Sequence, residues 1–168
     1  MTAKVLILMG SDTDWEVMSE VQKALADLGV ESEAHVASAH RTPERAAELA
    51  REASGRGIRV VVCGAGAAAH LAGAVAAQTG LPVLGVPLAS SDLAGLDALL
   101  ATVQMPAGVP VGTLAIGKAG ARNAGLLAAR ILALSDPALA AAVDEQRRRM
   151  RAEVEAKDLV LQKRVRGE

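Results

Sequence analysis

The 168-residue chain has no Phe, no Tyr, a single Trp (Trp15) and a single Cys (Cys63). Without aromatics there is no platform on which bases could stack, and a formal net charge of -1 leaves no cationic excess for phosphate backbones. A nucleic-acid partner is therefore not expected. One cysteine cannot close a disulfide within the chain, which fits a reducing cytoplasm. No apolar run approaches the roughly 20 residues that a membrane-spanning helix needs, and no signal peptide precedes the first strand-like run. A cytoplasmic protein with no membrane partner is expected.

The missing aromatics also dictate the core. Hydrophobic residues make up 51% of the chain, so the interior must be built from Val, Leu, Ile, Met and much Ala. Slim Ala-rich helices pack closely and leave apolar faces uncovered, which points to a homo-oligomer. At this length one domain over residues 1–168 suffices, since such a chain buries roughly two-thirds of its unfolded surface.

Strand-like and helix-like runs alternate along that domain. Residues 4–9 (KVLILM) read as a buried strand, followed by a polar loop and an amphipathic helix over about 14–28 that Gly29 can close. A second strand over 31–37 leads to "SAHR", after which Thr42 is positioned to cap a helix opened by Pro43. Strands follow at 58–63, 82–88 and 111–116, with a helix at 93–103 and a shorter one behind the third strand. The alternation predicts an α/β fold: a three-layer, flavodoxin-like parallel sheet of order 2-1-3-4-5 covering residues 1–134. Helices at 118–134 and 137 to about 164 end the chain, the second capped by Asp136 and forming a C-terminal arm over 135–168. Residues 145–168 carry 8 Lys/Arg and 5 Asp/Glu. That +3 tail suits either a solvated helix or an arm docked on a neighbouring, more acidic subunit.

In such folds ligands bind beyond the carboxyl ends of the strands, near the reversal of strand order. Three polar loops sit there: "GSDTD" (10–14), "SAHR" (38–41) and "GAGAAAH" (64–70). Ser11 is a natural N-cap, and Asp14 is a helix-dipole partner that beside a sugar could accept both hydrogens of a vicinal diol. His40 has no apolar face to belong to and titrates where acid–base catalysis needs it. Arg41, the Ser38 hydroxyl and free backbone N–H groups near Thr42 compose a phosphate cradle. His70 could pack, cap or act, and His35, inside the second strand, is structural.

Two rivals fail on particular residues. "GAGAAA" fits the dinucleotide fingerprint, but it follows the third strand, and no acid stands about twenty residues on for a ribose hydroxyl, so a nicotinamide or flavin cofactor is not expected. A phosphoacceptor signalling domain would use Asp12, Asp14 and Lys118 and needs an Asp where Cys63 stands.

The stretches "MGSDTDW", "SAHRTP", "GAGAAAHLAG" and "LDALLATVQMPAGVPVGTLAIGKAGARNAGLLAARIL" together resemble the class I, bacterial-type 5-(carboxyamino)imidazole ribonucleotide mutases of purine biosynthesis, in order and spacing, over about residues 4–134. The resemblance implies transfer of a carboxylate from the exocyclic nitrogen of an aminoimidazole ribonucleotide to a ring carbon, with no metal, ATP or other cofactor, in an octamer with shared sites. It implies His40 as general acid and base. Ser11 and Asp14 would hold the nucleotide, with Ser38 and Arg41 at the phosphate and Thr13 close by. Ala65, Gly66, Ala67, His70 and Leu71 would line a carboxylate and CO2 pocket. The related class II enzymes, which carboxylate aminoimidazole ribonucleotide with free CO2, differ in this last loop, and "AAAHL" sides with the mutases. Two departures stand out: Ala67 replaces the family's usual Gly, and Ala72 its usual Pro.

Overall fold

The computed structural model describes residues 3–167. Five parallel strands, β1 (Val5–Met9), β2 (Ser32–Val36), β3 (Val60–Gly66), β4 (Val83–Leu88) and β5 (Gly112–Thr113), form one sheet in the order β2-β1-β3-β4-β5. Six α-helices join or follow them: α1 (Trp15–Ala26), α2 (Pro43–Glu52), α3 (Leu71–Ala76), α4 (Leu96–Val103), α5 (Lys118–Ala133) and α6 (Pro137–Arg166). The expected strand order and helix-covered sheet are those observed.

Both faces of β1 are buried, which is why it reads as an unbroken apolar run and not as an alternation. Val5, Ile7 and Met9 meet Met18, Val21 and Leu25 of α1 and the alanines of α5 on one side. Leu6 and Leu8 meet Ala46, Leu49 and Ala50 of α2 and Leu71 and Val75 of α3 on the other. Alanine and glycine let α1 and α5 approach: a Cβ at Gly125 would lie 2.7 Å from the Val21 carbonyl oxygen. β2, at the sheet edge, carries Glu33, which Arg56 meets at 2.6 Å, with His35 3.7 Å away. Charges on an edge strand discourage pairing with another chain. His35 thus lies among structural neighbours.

Three boundaries differ from expectation by three residues. β3 runs on through Gly64, Ala65 and Gly66, because their backbones stay in register with Val86, Pro87 and Leu88 of β4. Only a short turn, residues 67–70, therefore remains of the glycine-rich loop. β5 keeps just two residues of regular ladder, since Pro87 offers it no N–H; beyond Thr113 the contact thins to Leu114 N–H on the Gly85 carbonyl and Gly117 N–H on that of Pro87. α4 starts at Leu96, three residues late, after Ala94 (φ 51°) and Gly95 (φ 87°) turn the chain through left-handed backbone.

Asp136 caps α6 by accepting from the N–H groups of Ala138 and Leu139, both at 3.0 Å. This 30-residue helix packs on the body only through its first turns, where Leu139 and Val143 are buried. From Arg147 to Gly167 every residue is exposed. Met150, Val154, Leu161 and Val165 continue the same helix face into that exposed part.

Candidate active site

Because β2, β1 and β3 are neighbours, the segments leaving their carboxyl ends converge. The strongest contact joins the second and third: His40 Nε2 lies 2.8 Å from His70 Nδ1, the rings edge to face with centroids 4.9 Å apart. One of those two nitrogens carries a proton and the other accepts it, so the contact fixes the tautomers of both rings against each other. The first and second are joined by Arg41, whose guanidinium donates to the Gly10 carbonyl at 3.1 Å.

Each loop is braced from within. Ser11 caps a short 3-10 turn (Asp12–Asp14) through a reciprocal capping box: its hydroxyl accepts from Thr13 N–H, and Asp14 Oδ2 accepts from Ser11 N–H at 3.0 Å. The Thr13 hydroxyl donates to Ser11 Oγ at 3.0 Å. Burial pushes the Asp14 carboxyl above its ordinary value, against the N–H groups of Ser11 and Gly10 and the Arg41 guanidinium, which pull it down. A carboxyl raised in the folded state gives stability when protonated and loses it as pH rises through the raised value. Burial therefore costs the ionised form of Asp14 some stability, which the two N–H groups and the guanidinium partly offset.

Thr42 does not cap α2. Its hydroxyl instead accepts from Ser38 N–H at 2.9 Å and donates to the Ser38 carbonyl at 3.2 Å, closing the loop on itself. The Ser38 hydroxyl accepts from the N–H groups of His40 and Arg41, at 3.4 and 3.2 Å. The backbone donors expected to be free for phosphate at 40–42 are therefore used to shape the loop. The Ser38 O–H is not used in this bracing, nor are the first-turn N–H groups of Glu44 and Arg45 in α2.

In the third segment Ala65 and Gly66 end β3, and Ala67 and Ala68 form an exposed bend before His70. Leu71 was expected to line a pocket here. The structure leaves it 2% exposed: as the first residue of α3 its side chain drops into the core beside Leu6 and Leu8. Ala72 is likewise buried, at the second helical position, where the family's Pro is also tolerated. Ala67 has φ 48°. Left-handed backbone costs an alanine about 1–2 kcal/mol, of which the greater unfolded-state freedom of Gly would return roughly 0.5–1. Ala67→Gly should stabilise the protein by about 0.5–1 kcal/mol, raising its calorimetric midpoint by about 2 °C; a lowered midpoint would show the bend is not strained.

No group of three or more His, Cys, Asp or Glu that could hold a metal ion occurs among the described residues. Cys63, where a phosphoacceptor Asp would stand, is 1% exposed, and burial pushes its thiol far up.

This arrangement of loops has relatives. The sequence model of AIR carboxylase matches residues 4–153. The chain belongs to the AIR carboxylase family. A Brucella melitensis protein named N5-carboxyaminoimidazole ribonucleotide mutase is 55% identical over 148 residues, covering 88% of this chain and 91% of that protein. Proteins of the same name from Pseudomonas aeruginosa (57% identical; 82% and 84% covered) and Mycobacterium tuberculosis (52%; 95% and 91%) are similar. Among solved structures, Treponema denticola PurE superposes with a TM-score of 0.79 at 27% identity over 95% of each chain. Residues 154–166 of α6 lie beyond the family match.

Residue types flagged His40, Arg41 and Asp14. The strand order placed the loops of His40 and His70 together, and the direct contact of the two rings, 30 positions apart in sequence, is what the structure adds.

Proposed function

We propose that the chain is an isomerase of purine biosynthesis that converts N5-carboxyaminoimidazole ribonucleotide into 4-carboxy-5-aminoimidazole ribonucleotide. One observation carries this conclusion: an imidazole pair 2.8 Å apart stands beside an arginine and a half-buried carboxylate at the carboxyl ends of adjacent parallel strands. The names of relatives more than 50% identical support the same chemistry.

Arg41 and the Ser38 hydroxyl hold the phosphate, and Asp14, braced by Ser11 and Thr13, holds the ribose diol. The carbamate is placed over the turn at Ala65, Gly66 and Ala67. As the N–C bond of the carbamate breaks, its electrons return to the exocyclic nitrogen, which takes a proton from His40. CO2 is released against the methyl groups of Ala65 and Ala67. The electron-rich ring carbon attacks that CO2 and becomes tetrahedral. His40, now the base, removes its proton, so aromaticity returns and the imidazole ends as it began. His70 orients His40 through the shared proton. No ATP, metal or other cofactor is consumed, since each electron pair and proton is recovered within the cycle.

Incubated with the carboxyamino substrate and no ATP, the protein should form the 4-carboxy product; no product would refute the assignment. A homo-oligomer, in this family's manner an octamer, is part of the same proposal. It rests on the bare apolar face of α6 and on Leu93, Leu96, Leu100 and Val103, which lie 49–62% exposed on and beside α4. Light scattering should give a mass far above the 17.1 kDa chain, and a fully active monomer would contradict it.

A further inference from the structure

The segment leaving β4 carries a hydroxyl that neither the fold nor the loops described above make use of. Ser90 stands two residues past Leu88, which pairs with Gly66 at the end of β3. A Cβ built on Gly66 would lie 1.8 Å from Ser90 Oγ and 2.7 Å from Ser90 Cβ. The Ser90 side chain thus lies directly on the face that glycine leaves bare, at the base of the turn that carries His70 to His40. Its backbone N–H donates to the Leu88 carbonyl at 3.1 Å. Its hydroxyl has no hydrogen-bond partner among the described residues, in contrast to Ser91, which donates to Asp97 Oδ2 at 2.7 Å and accepts from Leu93 N–H at 3.2 Å. Ser91 is a structural serine that organises the entry to α4. Ser90 is exposed and unengaged.

The surroundings give that hydroxyl a use. The bend beside it is lined by small apolar side chains, Ala65, Ala67 and Ala68, which can accommodate CO2 but offer a carboxylate no side-chain donor. On the reading of the site given above, we propose that Ser90 is a carboxylate-recognition residue. Its O–H donates to a carboxylate oxygen of substrate and product, and the absence of a side chain at Gly66 keeps that approach open. A hydroxyl that holds one oxygen keeps the CO2 plane facing the ring carbon between cleavage and recapture. Removing Ser90 should therefore affect ligands that bear the carboxylate and spare those that do not.

The test is Ser90→Ala, with binding measured by calorimetry for two ligands that differ only in that group: 4-carboxy-5-aminoimidazole ribonucleotide and aminoimidazole ribonucleotide. Affinity for the carboxylated ligand should fall about tenfold or more, the usual range for losing a hydrogen bond to a charged group, with affinity for the other within about twofold of wild type. Ser90 is at the surface, so an unchanged thermal midpoint is expected to accompany the result. Equal loss for both ligands would make Ser90 merely structural, and no loss for either would leave it without a role; each outcome overturns the inference. Failure of the wild-type protein to bind either nucleotide would instead overturn the proposed function on which the inference rests.

Discussion

His40→Asn lowers turnover by about two to four orders of magnitude, the range that a positioned general acid–base group contributes. The loss should fall at the upper end because one imidazole serves two proton transfers. Asn can occupy the position, but it stops short of the Nε2 point that meets His70 and can neither deliver a proton to nitrogen nor take one from carbon. The fold should not notice the change: His40 is exposed, and the loop is braced by the Ser38 and Thr42 bonds, none of which uses its ring. Steady-state kinetics should thus show the collapse in kcat while calorimetry shows nucleotide affinity within a few-fold of wild type. Retention of more than about a tenth of wild-type turnover would remove His40 from the chemistry.

Arg41→Ala separates binding from chemistry. A charge-assisted contact to phosphate is worth about 1.5–3 kcal/mol, so nucleotide affinity should fall roughly ten- to a hundredfold. The guanidinium also ties the "SAHR" loop to the Gly10 carbonyl, so its loss loosens the seam between the first two loops. The decisive comparison uses the nucleoside that lacks phosphate, for which wild type and variant should bind alike. Equal weakening for nucleotide and nucleoside would mean that Arg41 shapes the loop and does not contact phosphate.

The sheet order and the covered faces were legible because buried parallel strands demand the apolar runs seen in KVLILM and RVVVC. The end of β3 was not, since Gly-Ala-Gly has loop composition and only register with β4 keeps it extended. Thr42 looked like a cap by its place before Pro43, yet the same hydroxyl found nearer partners on Ser38. That the Leu71 side chain turns into the core, leaving only its backbone beside the bend, was not legible because sequence gives a helix start but not its rotation about its axis. At the site, residue types carried His40, Arg41 and Asp14 and strand order brought their loops together, whereas the individual bonds between loops, His40 to His70 and Arg41 to Gly10, belong to the fold alone. The positive φ at Ala67 is backbone that Gly adopts without strain, which fits the glycine that the resemblance implies at this position.

Whether the transferred carbon stays in the site tests the account most directly. Substrate labelled at the carbamate carbon is supplied in excess unlabelled bicarbonate, with chelator and without ATP, and the label in the carboxylated product is measured. Label largely retained is the result predicted, because recapture beside His40 and the 65–67 turn outpaces escape when both fragments are held in place. Label diluted to the level of bulk bicarbonate would contradict it and would make the chain a carboxylase that draws on free CO2.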